Sequence, residues 1–295
     1  ILDPSVGDVG LALTQCFMIT EIISTGIKNI SSCENYMTSV ERIAEYSELK
    51  VEDKKGPIAK NWPTDGKIHF GGVSLTYDNK TTLHNINFTI EPNEKVGIVG
   101  RTGAGKSSII STLLRMYQTD GKISIDGINI QEVSLQWLRS HISIVPQDPF
   151  LFSGTVRDNL DPLKQYKDDT IWKVLEQLHL KHLIGDLNIK IDKSSSFSAG
   201  QKQLFCLARA ALRKTKIVIL DEIAANVDKE TEDLIQKAVK DYFHANTVIT
   251  ITHKLESILT CDKVLVLDRG CIREFGQPAR LLKNKNSFFC SVTMS

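Results

Sequence analysis

The chain has 295 residues, of which 36 are Lys or Arg and 35 are Asp or Glu, so its formal net charge is +1. This near-neutral balance disfavours a nucleic-acid binder that relies on a basic patch, and a hydrophobic share of 41% argues against disorder. A polytopic membrane protein is excluded for these residues, because only one segment approaches the roughly 20 apolar residues that a bilayer crossing needs. The length predicts about two domains, or one large domain with an appendage.

The first 49 residues differ in texture from the rest of the chain. Residues 9–27 contain no Lys or Arg and one acid, Glu21, so they fit a membrane helix and a buried soluble helix about equally well. The next segment predicts an amphipathic helix from apolar residues at helical spacing: Met37, Val40, Ile43 and Ala44. Residues 50–65 are polar, contain Pro57 and Pro63, and predict a linker.

From residue 66 onwards the sequence predicts short strands, turns and helices. Two apolar runs, Ile217–Leu220 and Val248–Ile251, have the β-branched composition of strands that are buried on both faces. The turns at Asp126-Gly127 and Asp268–Gly270 lie between apolar strand patterns and predict hairpins. The apolar spacing from Thr170 to Leu187 predicts one helix. This part of the chain is therefore predicted to be α/β with an antiparallel portion.

A glycine-rich turn lies between the predicted strand Val96–Val99 and a helical pattern from Ser108 to Met116. It matches G-x-x-x-x-G-K-[ST] in full, with the residues Gly100, Arg101, Thr102, Gly103, Ala104, Gly105, Lys106 and Ser107. In this context backbone N–H groups and the helix N-terminus can bind phosphates, Lys106 can reach the β- and γ-phosphates, and Ser107 can ligate Mg²⁺. The alternative is a glycine-rich turn with an incidental lysine, which the full match in this context disfavours.

An acidic pair, Asp221 and Glu222, follows the predicted strand Ile217–Leu220. An acid at the end of a buried strand can hold Mg²⁺ directly or through water, and Glu222 is placed to accept a proton from an attacking water. Such a pair alone is more typical of a helix N-cap. The phosphate-binding motif elsewhere in the chain favours the catalytic interpretation.

Proteins with this motif include kinases, GTPases, motors and transport ATPases, so a further motif is needed to separate them. The chain lacks the N-K-x-D motif with which GTPases read guanine. Residues 196–203, Ser-Phe-Ser-Ala-Gly-Gln-Lys-Gln, lie before the acidic pair and precede a helical pattern. They resemble the signature of ATP-binding cassette (ABC) proteins, usually Leu-Ser-Gly-Gly-Gln, with Phe197 in place of Leu and Ala199 in place of the first Gly.

Further elements match this family in order along the chain. Tyr77 matches the adenine-stacking aromatic, Gln147 the loop glutamine near Mg²⁺ and the attacking water, and His253 the switch histidine at the γ-phosphate. Residues 224–228 match the loop after the acidic pair. Alone, each side chain has a plainer interpretation: a core-edge aromatic, a solvated loop residue and a strand-end histidine. Together they extend the resemblance over residues 66–290.

Two longer runs, residues 137–149 and 152–162, resemble the C subfamily of ABC transporters, the multidrug resistance-associated proteins. Glu222, together with the altered signature at Ala199, resembles the second, C-terminal nucleotide-binding domain of those proteins.

For the fold, the resemblance implies a P-loop NTPase (RecA-like) core with an antiparallel β subdomain and an α-helical signature subdomain. The implied organisation is the end of the last transmembrane helix with a cytoplasmic helical extension over residues 1–49, a linker over 50–65, and the ABC nucleotide-binding domain over 66–290. The full-length protein would be a multi-pass membrane protein with this domain on the cytoplasmic side.

The resemblance also implies a set of residues for ATP and Mg²⁺. The catalytic residues would be Glu222, His253 and Gln147, and the metal ligands Ser107, Gln147 and Asp221. Nucleotide contacts would come from the whole glycine-rich motif, from Tyr77 and Ser108, and from the signature residues Ser198, Gly200 and Gln201, which would cap ATP bound to a partner domain.

The implied function is ATP hydrolysis that powers the export of amphipathic organic anions. The implied partners are a second nucleotide-binding domain and transmembrane domains, with no nucleic acid. Two alternatives remain open: a regulatory ATP-binding module that gates a channel or receptor, and a non-transport ABC ATPase.

Overall fold

A computed structural model describes residues 5–49, 51–52, 61–77, 80–191, 197–225, 227–284 and 287–293. Most of the predicted linker lies outside the described residues, as do Ser196 of the predicted signature and Asn226 of the loop after the acidic pair. The chain divides into two compact units, residues 1–53 and 54–295, and each is described by itself.

The described residues of the first unit form one helix, α1, over Val6–Glu48. It begins at a capping box in which Ser5 Oγ accepts a hydrogen bond from the Asp8 N–H, and the Asp8 carboxylate accepts one from the Ser5 N–H. The segment with the predicted amphipathic helix is helical and continues the same helix without a break, since residues 28–36 contain no proline that would interrupt the backbone hydrogen bonds. The helix is long and apolar enough to cross a membrane.

The described residues of the second unit form three sheets with helices around them. The strands are β1 (Ile68–Tyr77), β2 (Lys80–Ile90), β3 (Lys95–Gly100), β4 (Asp120–Ile125), β5 (Ile128–Asn129), β6 (Ile142–Val145), β7 (Gly154–Thr155), β8 (Lys190–Ile191), β9 (Ile217–Asp221), β10 (Thr247–Ile251), β11 (Lys263–Asp268) and β12 (Cys271–Gly276). The helices are α2 (Lys106–Leu113), α3 (Leu135–Ser140), α4 (Val156–Leu160), α5 (Asp168–Gln177), α6 (Ala199–Arg213), α7 (Lys229–Tyr242), α8 (Leu255–Leu259), α9 (Pro278–Lys283) and α10 (Phe288–Thr293).

The central sheet has six strands in the order β12-β11-β3-β10-β9-β6. All of its pairs are parallel except β11 with β12. Successive side chains along its inner strands point into two different hydrophobic cores, one on each face of the sheet. In β9, Ile217 and Ile219 pack into the core shared with the antiparallel sheet, whereas Val218 and Leu220 pack against the helices on the other face. The prediction of strands buried on both faces is confirmed, because both sides of the sheet are covered.

A four-stranded antiparallel sheet, in the order β2-β1-β4-β5, covers one face of the central sheet. Its inward residues alternate along β1 and β2, and Phe70 stacks on Phe88 with ring centroids 4.5 Å apart. The predicted hairpins at Asp126-Gly127 and Asp268–Gly270 are present, joining β4 to β5 and β11 to β12. The predicted α/β fold with an antiparallel portion is therefore confirmed.

Helices α4, α5 and α6 share the core on the other face of the central sheet. The single helix predicted from Thr170 to Leu187 is wrong, because α5 ends at Gln177. His179 then adopts a left-handed backbone conformation with φ 55°, and a short 3₁₀ turn follows at Lys181–Leu183. The later apolar residues are buried in the same core, so their helix-like spacing reflects burial through a series of turns.

The end of the predicted linker is attached to the antiparallel sheet. Trp62 is buried, and its indole N–H donates to the carbonyl of Ile125 at 2.8 Å. The Asp126 carboxylate accepts hydrogen bonds from the N–H groups of four successive residues, 64–67, at 2.7–3.1 Å. Residues 61–67 therefore pack as part of the second unit, and the predicted domain boundaries stay a prediction.

We expect Asp126→Ala to lower the free energy of unfolding by about 2 kcal/mol, because hydrogen bonds to a charged acceptor are lost and backbone N–H groups are left without it. Urea denaturation measures the change. Asp65→Ala is the control, since residue 65 contributes only its backbone N–H to this cluster. Equal stability of the two variants would contradict the role of the Asp126 carboxylate.

Candidate functional site

The glycine-rich motif forms a loop that joins β3 to the first turn of α2. Gly105 precedes the helix in a left-handed conformation with φ 105°, and a Cβ added there would lie 2.7 Å from Leu83 Cδ2. The hairpin of β11 and β12 holds the loop from outside, because the Gly270 N–H donates to the Ala104 carbonyl at 3.0 Å. The backbone of the loop is thus fixed by contacts on both sides.

Lys106 begins α2 and is the most buried charged side chain of the loop, at 8% exposure. Its ammonium group donates to the carbonyl oxygens of Gly100 and Arg101, at 2.9 and 3.3 Å. Burial lowers the pKa of Lys106, and the nearby carboxylates of Glu222 and Asp221 oppose this change. A desolvated ammonium group that faces backbone carbonyls is suited to binding a strongly charged anion such as phosphate.

Glu222 is held by two side chains from other segments. Gln147 Nε2 donates to Glu222 Oε2 at 3.0 Å, and His253 Nε2 lies 2.8 Å from Glu222 Oε1. The Glu222 backbone is left-handed, with φ 47°, and its N–H donates to the Ile251 carbonyl at 2.9 Å. A non-glycine residue adopts this conformation only where its surroundings impose it, as happens at functional sites.

Asp221 lies at the end of β9, directly before Glu222. Burial raises the pKa of its carboxyl group; repulsion from Glu222 raises it further, and the Lys106 ammonium lowers it. Two carboxylates at the end of one buried strand are therefore incompletely compensated by a single lysine. A divalent cation would fit this charge pattern.

Lys106, Glu222, Gln147 and His253 line one cleft with a cavity volume of about 410 Å³, whereas Asp221 is not among its lining residues. It is lined by Thr82, Thr102, Gly103, Gly105, Lys106, Ser107, Ser108, Gln147, Glu222 and His253. The structure thus brings together the phosphate-binding motif and the three predicted catalytic residues. Thr82 was missed by the sequence analysis, because no motif marks it: it lies in β2, which the tertiary structure places beside the hairpin of β11 and β12.

Tyr77 lies beside this cleft at the end of β1. Its hydroxyl group donates to Ser108 Oγ at 3.5 Å, and its ring meets that of Tyr117 edge to face, with centroids 4.5 Å apart. Tyr117 was also missed by the sequence analysis. No sequence motif marks it, and in the structure its side chain is exposed. The two rings together offer a larger apolar surface than the predicted single aromatic.

The signature residues lie at the N-terminus of α6 and do not line the cleft described above. Ser198 and Gln201 form a capping box: Ser198 Oγ accepts from the Gln201 N–H, and Gln201 Oε1 accepts from the Ser198 N–H. Gly200 is buried, and a Cβ added there would lie 2.6 Å from Thr231 Cγ2 of α7. Ala199 is exposed, so its methyl group contacts solvent in this chain.

Helix α6 also supports the segment that carries Gln147. The Gln203 side chain is buried, and its Nε2 donates to the Pro146 carbonyl at 2.9 Å. One turn and a half further on, Arg209 donates to the Phe150 carbonyl at 2.6 Å and lies over the Phe152 ring. The backbone on both sides of Gln147 is therefore tied to the signature helix.

A strand, a glycine-rich loop and a helix that face an acidic pair at the end of a neighbouring strand define a P-loop nucleotide-binding domain. The family model for the ABC transporter domain matches residues 83–225. Residues 83–225 therefore form an ABC transporter domain, and the relatives of this chain include members of ATP-binding cassette sub-family C.

The relatives are similar along nearly the whole of this chain. This chain is 44% identical over 296 residues to "Probable multidrug resistance-associated protein lethal(2)03659" of Drosophila melanogaster. That alignment covers 95% of this chain and 21% of the fly protein. Identity to human ATP-binding cassette sub-family C member 4 is 45% over 295 residues, which cover 96% of this chain and 22% of that protein. Identity to Metal resistance protein YCF1 of Saccharomyces cerevisiae is 43% over 305 residues, which cover 98% of this chain and 20% of that protein. The chain thus spans about a fifth of the length of these relatives.

We expect Gly200→Ala to destabilise the domain by about 2 kcal/mol, because the new methyl group overlaps Thr231 Cγ2 in a closely packed contact. Thr231→Ser removes that Cγ2 and keeps the hydroxyl group that donates to Asp228. The double variant Gly200→Ala/Thr231→Ser should therefore recover part of the loss in urea denaturation. A Gly200→Ala protein as stable as the parent would overturn this packing argument.

Proposed function

We propose that this chain is the ATP-binding and ATP-hydrolysing domain of a membrane exporter, and that the residues of the cleft carry out the hydrolysis. The observation that carries the proposal is the position of Glu222. Its carboxylate is held by Gln147 and His253 in the same cleft as Lys106 and the glycine-rich loop. A fixed acceptor beside a phosphate-binding loop is what proton transfer from an attacking water requires.

In this mechanism the protein positions the reactants and stabilises charge. The N–H groups of the loop and the Lys106 ammonium neutralise the phosphate oxygens. Glu222 accepts the proton of the attacking water, and Gln147 orients both Glu222 and that water. His253 contacts Glu222 on its other side and would stabilise the γ-phosphate as negative charge moves from it to the leaving group.

The donor set also fits Mg²⁺, with Ser107, Gln147 and Asp221 as its ligands. Among the described residues no group of three or more His, Cys, Asp and Glu side chains is arranged to hold a metal ion. A site with a single carboxylate is nonetheless typical of Mg²⁺, which is usually bound by one or two carboxylates together with substrate phosphates and water. The metal ion would neutralise negative charge on the phosphates. The raised pKa of Asp221 supports this assignment, because a bound cation would stabilise its charged form.

The proposed partners are a second nucleotide-binding domain and the transmembrane domains of the same transporter. Ser198 and Gln201 cap α6, and Gly200 lies in its first turn, away from the residues that line the cleft. That arrangement supports the idea that they contact nucleotide on a partner domain. The exposed Ala199 methyl group would then stand between this backbone and the partner's phosphates, which would weaken the donated half of the site.

Helix α1 is long and apolar enough to cross a membrane, which supports a membrane location. The proposed position of the nucleotide-binding domain is the cytoplasmic side of that membrane. Amphipathic organic anions are the proposed substrate class. Regulation of a channel or receptor by the same ATP site is the competing outcome, and a transport measurement separates the two.

We expect Glu222→Gln to lower kcat for ATP hydrolysis by at least about 100-fold, because the amide cannot accept the proton of the attacking water. The Kd for ATP should change little, because the phosphate-binding loop is intact. Glu230→Gln, an exposed acid of α7 outside the cleft, is the matched control and should hydrolyse ATP normally. Near-normal hydrolysis by Glu222→Gln would remove this residue as the base.

The same variant tests export. In inside-out membrane vesicles that contain the full-length transporter, ATP-dependent uptake of a fluorescent organic anion should be lost with Glu222→Gln and retained with Glu230→Gln. If ATP is hydrolysed but no uptake occurs with any anion tested, the regulatory alternative is favoured over the exporter.

We expect Tyr77→Ala to raise the Kd for ATP about tenfold, because an aromatic stacking contact worth about 1 kcal/mol or more is removed. Tyr77→Phe keeps the ring and loses only the hydroxyl group, so its affinity should stay close to that of the parent. Fluorescence titration with a labelled ATP analogue measures both. Unchanged affinity in Tyr77→Ala would place this residue outside the nucleotide site.

A further inference from the structure

The residue after His253 forms an ion pair with a buried carboxylate, and no part of the proposed mechanism uses it. Lys254 Nζ lies 2.7 Å from Glu232 Oε2, with side-chain exposures of 36% and 7%. Glu232 belongs to the first turn of α7, and its other oxygen accepts a hydrogen bond from Gln236 at 3.4 Å. A carboxylate as buried as Glu232 is costly without a cation beside it, so the contact strongly favours one position for Lys254.

The backbone around His253 is held at two points. On one side, the Ile251 carbonyl accepts the N–H of Glu222 at 2.9 Å. On the other side, the ion pair fastens Lys254 to α7, and the Lys254 N–H donates to Thr252 Oγ1 at 3.1 Å. The His253 side chain is itself half exposed, at 51%. Its 2.8 Å contact with Glu222 therefore depends on the backbone that carries it.

Exposed ion pairs nearby offer a direct comparison. Lys229 also joins α7 to α8, through a contact of 3.0 Å with Glu256, and lies 3.7 Å from Asp233. All three of these side chains are at least 65% exposed. Pairs in such positions contribute little, because water screens them. A neutral hydrogen bond from Gln236 to Ser257 Oγ, at 3.4 Å, also joins α7 to α8, but further from His253. Of these connections to α7, the ion pair with the buried Glu232 carboxylate is the one directly beside His253.

We propose that Lys254 and Glu232 are positioning residues, whose ion pair sets the His253 imidazole against the Glu222 carboxylate. The inference rests on the proposed function, since it assigns a support to that same site. It also links the two segments that follow β9 and β10: α7 begins after the Glu222 loop, and Lys254 follows His253. A movement of α7 would thereby move the imidazole relative to Glu222.

The test uses the whole chain and four variants. Lys254→Met leaves the Glu232 carboxylate buried and unpaired. The double variant Glu232→Met/Lys254→Met removes both charges, and such replacements of a buried pair are often neutral or stabilising. Lys254→Arg keeps a cation, and Lys229→Met is the exposed control. Thermal unfolding, kcat for ATP hydrolysis and the Kd for ATP are measured for each.

If the ion pair positions His253, the melting temperature and kcat should respond differently to the single and double variants. We expect Lys254→Met to lower both the melting temperature and kcat, with kcat reduced about 10- to 100-fold, as a small misplacement of a catalytic group produces. The double variant should recover the melting temperature while kcat stays low, with the Kd for ATP near that of the parent. Lys254→Arg should retain part of the rate, and Lys229→Met should match the parent. Recovery of kcat together with melting temperature in the double variant would overturn the proposal.

A second readout does not depend on hydrolysis. The Nε2 resonance of His253, in protein labelled with ¹⁵N-histidine, reports the contact with Glu222. Lys254→Met and the double variant should shift this resonance towards its position in Glu222→Ala, whereas Lys229→Met should not. If the parent chain fails to hydrolyse ATP, the proposed function fails and this resonance still decides the inference. An unchanged resonance in the double variant would contradict it.

Discussion

The parallel register of β3, β10 and β9 brings the residues of the cleft together, because the carboxyl ends of parallel strands meet at one edge of the sheet. Ile251 of β10 pairs with Ile98 of β3 on one side and with Asp221 of β9 on the other. The glycine-rich loop, the acidic pair and the loop of His253 therefore leave the sheet at the same level. The hydrogen bond from the Glu222 N–H to the Ile251 carbonyl continues this pairing beyond the strand end and holds Glu222 in its left-handed conformation.

The hydrophobic cores on the two faces of the sheet stabilise the strand ends, where partly buried charged groups are energetically costly. Partly buried charges lie close together at this edge of the sheet: burial lowers the pKa of Lys106 and raises that of Asp221. A left-handed non-glycine residue adds a cost on the order of 1–3 kcal/mol. Fully buried aliphatic side chains in β9 and β10 face both cores, and they stabilise the strand ends that carry these groups.

Helices α6 and α7 connect the cleft to the surface where the signature lies. Gln203 ties α6 to the carbonyl before Gln147, and Glu232 ties α7 to the residue after His253. The helices meet at Gly200 and Thr231, where a Cβ has no room. The residues next to Gln147 and His253, the two side chains that contact Glu222, are thus bonded to α6 and α7 respectively. A displacement of either helix therefore has a direct physical route to the Glu222 carboxylate.

Local sequence determined the chemical groups of this protein, because the features that carry them depend on residues adjacent in the chain. These features are the glycine-rich loop, the acidic pair after an apolar strand and the two hairpin turns. Each lies where the sequence pattern predicts it. Tertiary structure decided which residues share a site. Thr82, Tyr117 and the Glu232–Lys254 pair carry no sequence signal, because the strand order and helix packing that bring them into place join residues far apart in the chain. Packing also ended α5 at Gln177, since buried apolar residues spaced like a helix can be reached through turns. Helical spacing records which residues are buried, and only the folded chain decides the backbone path between them.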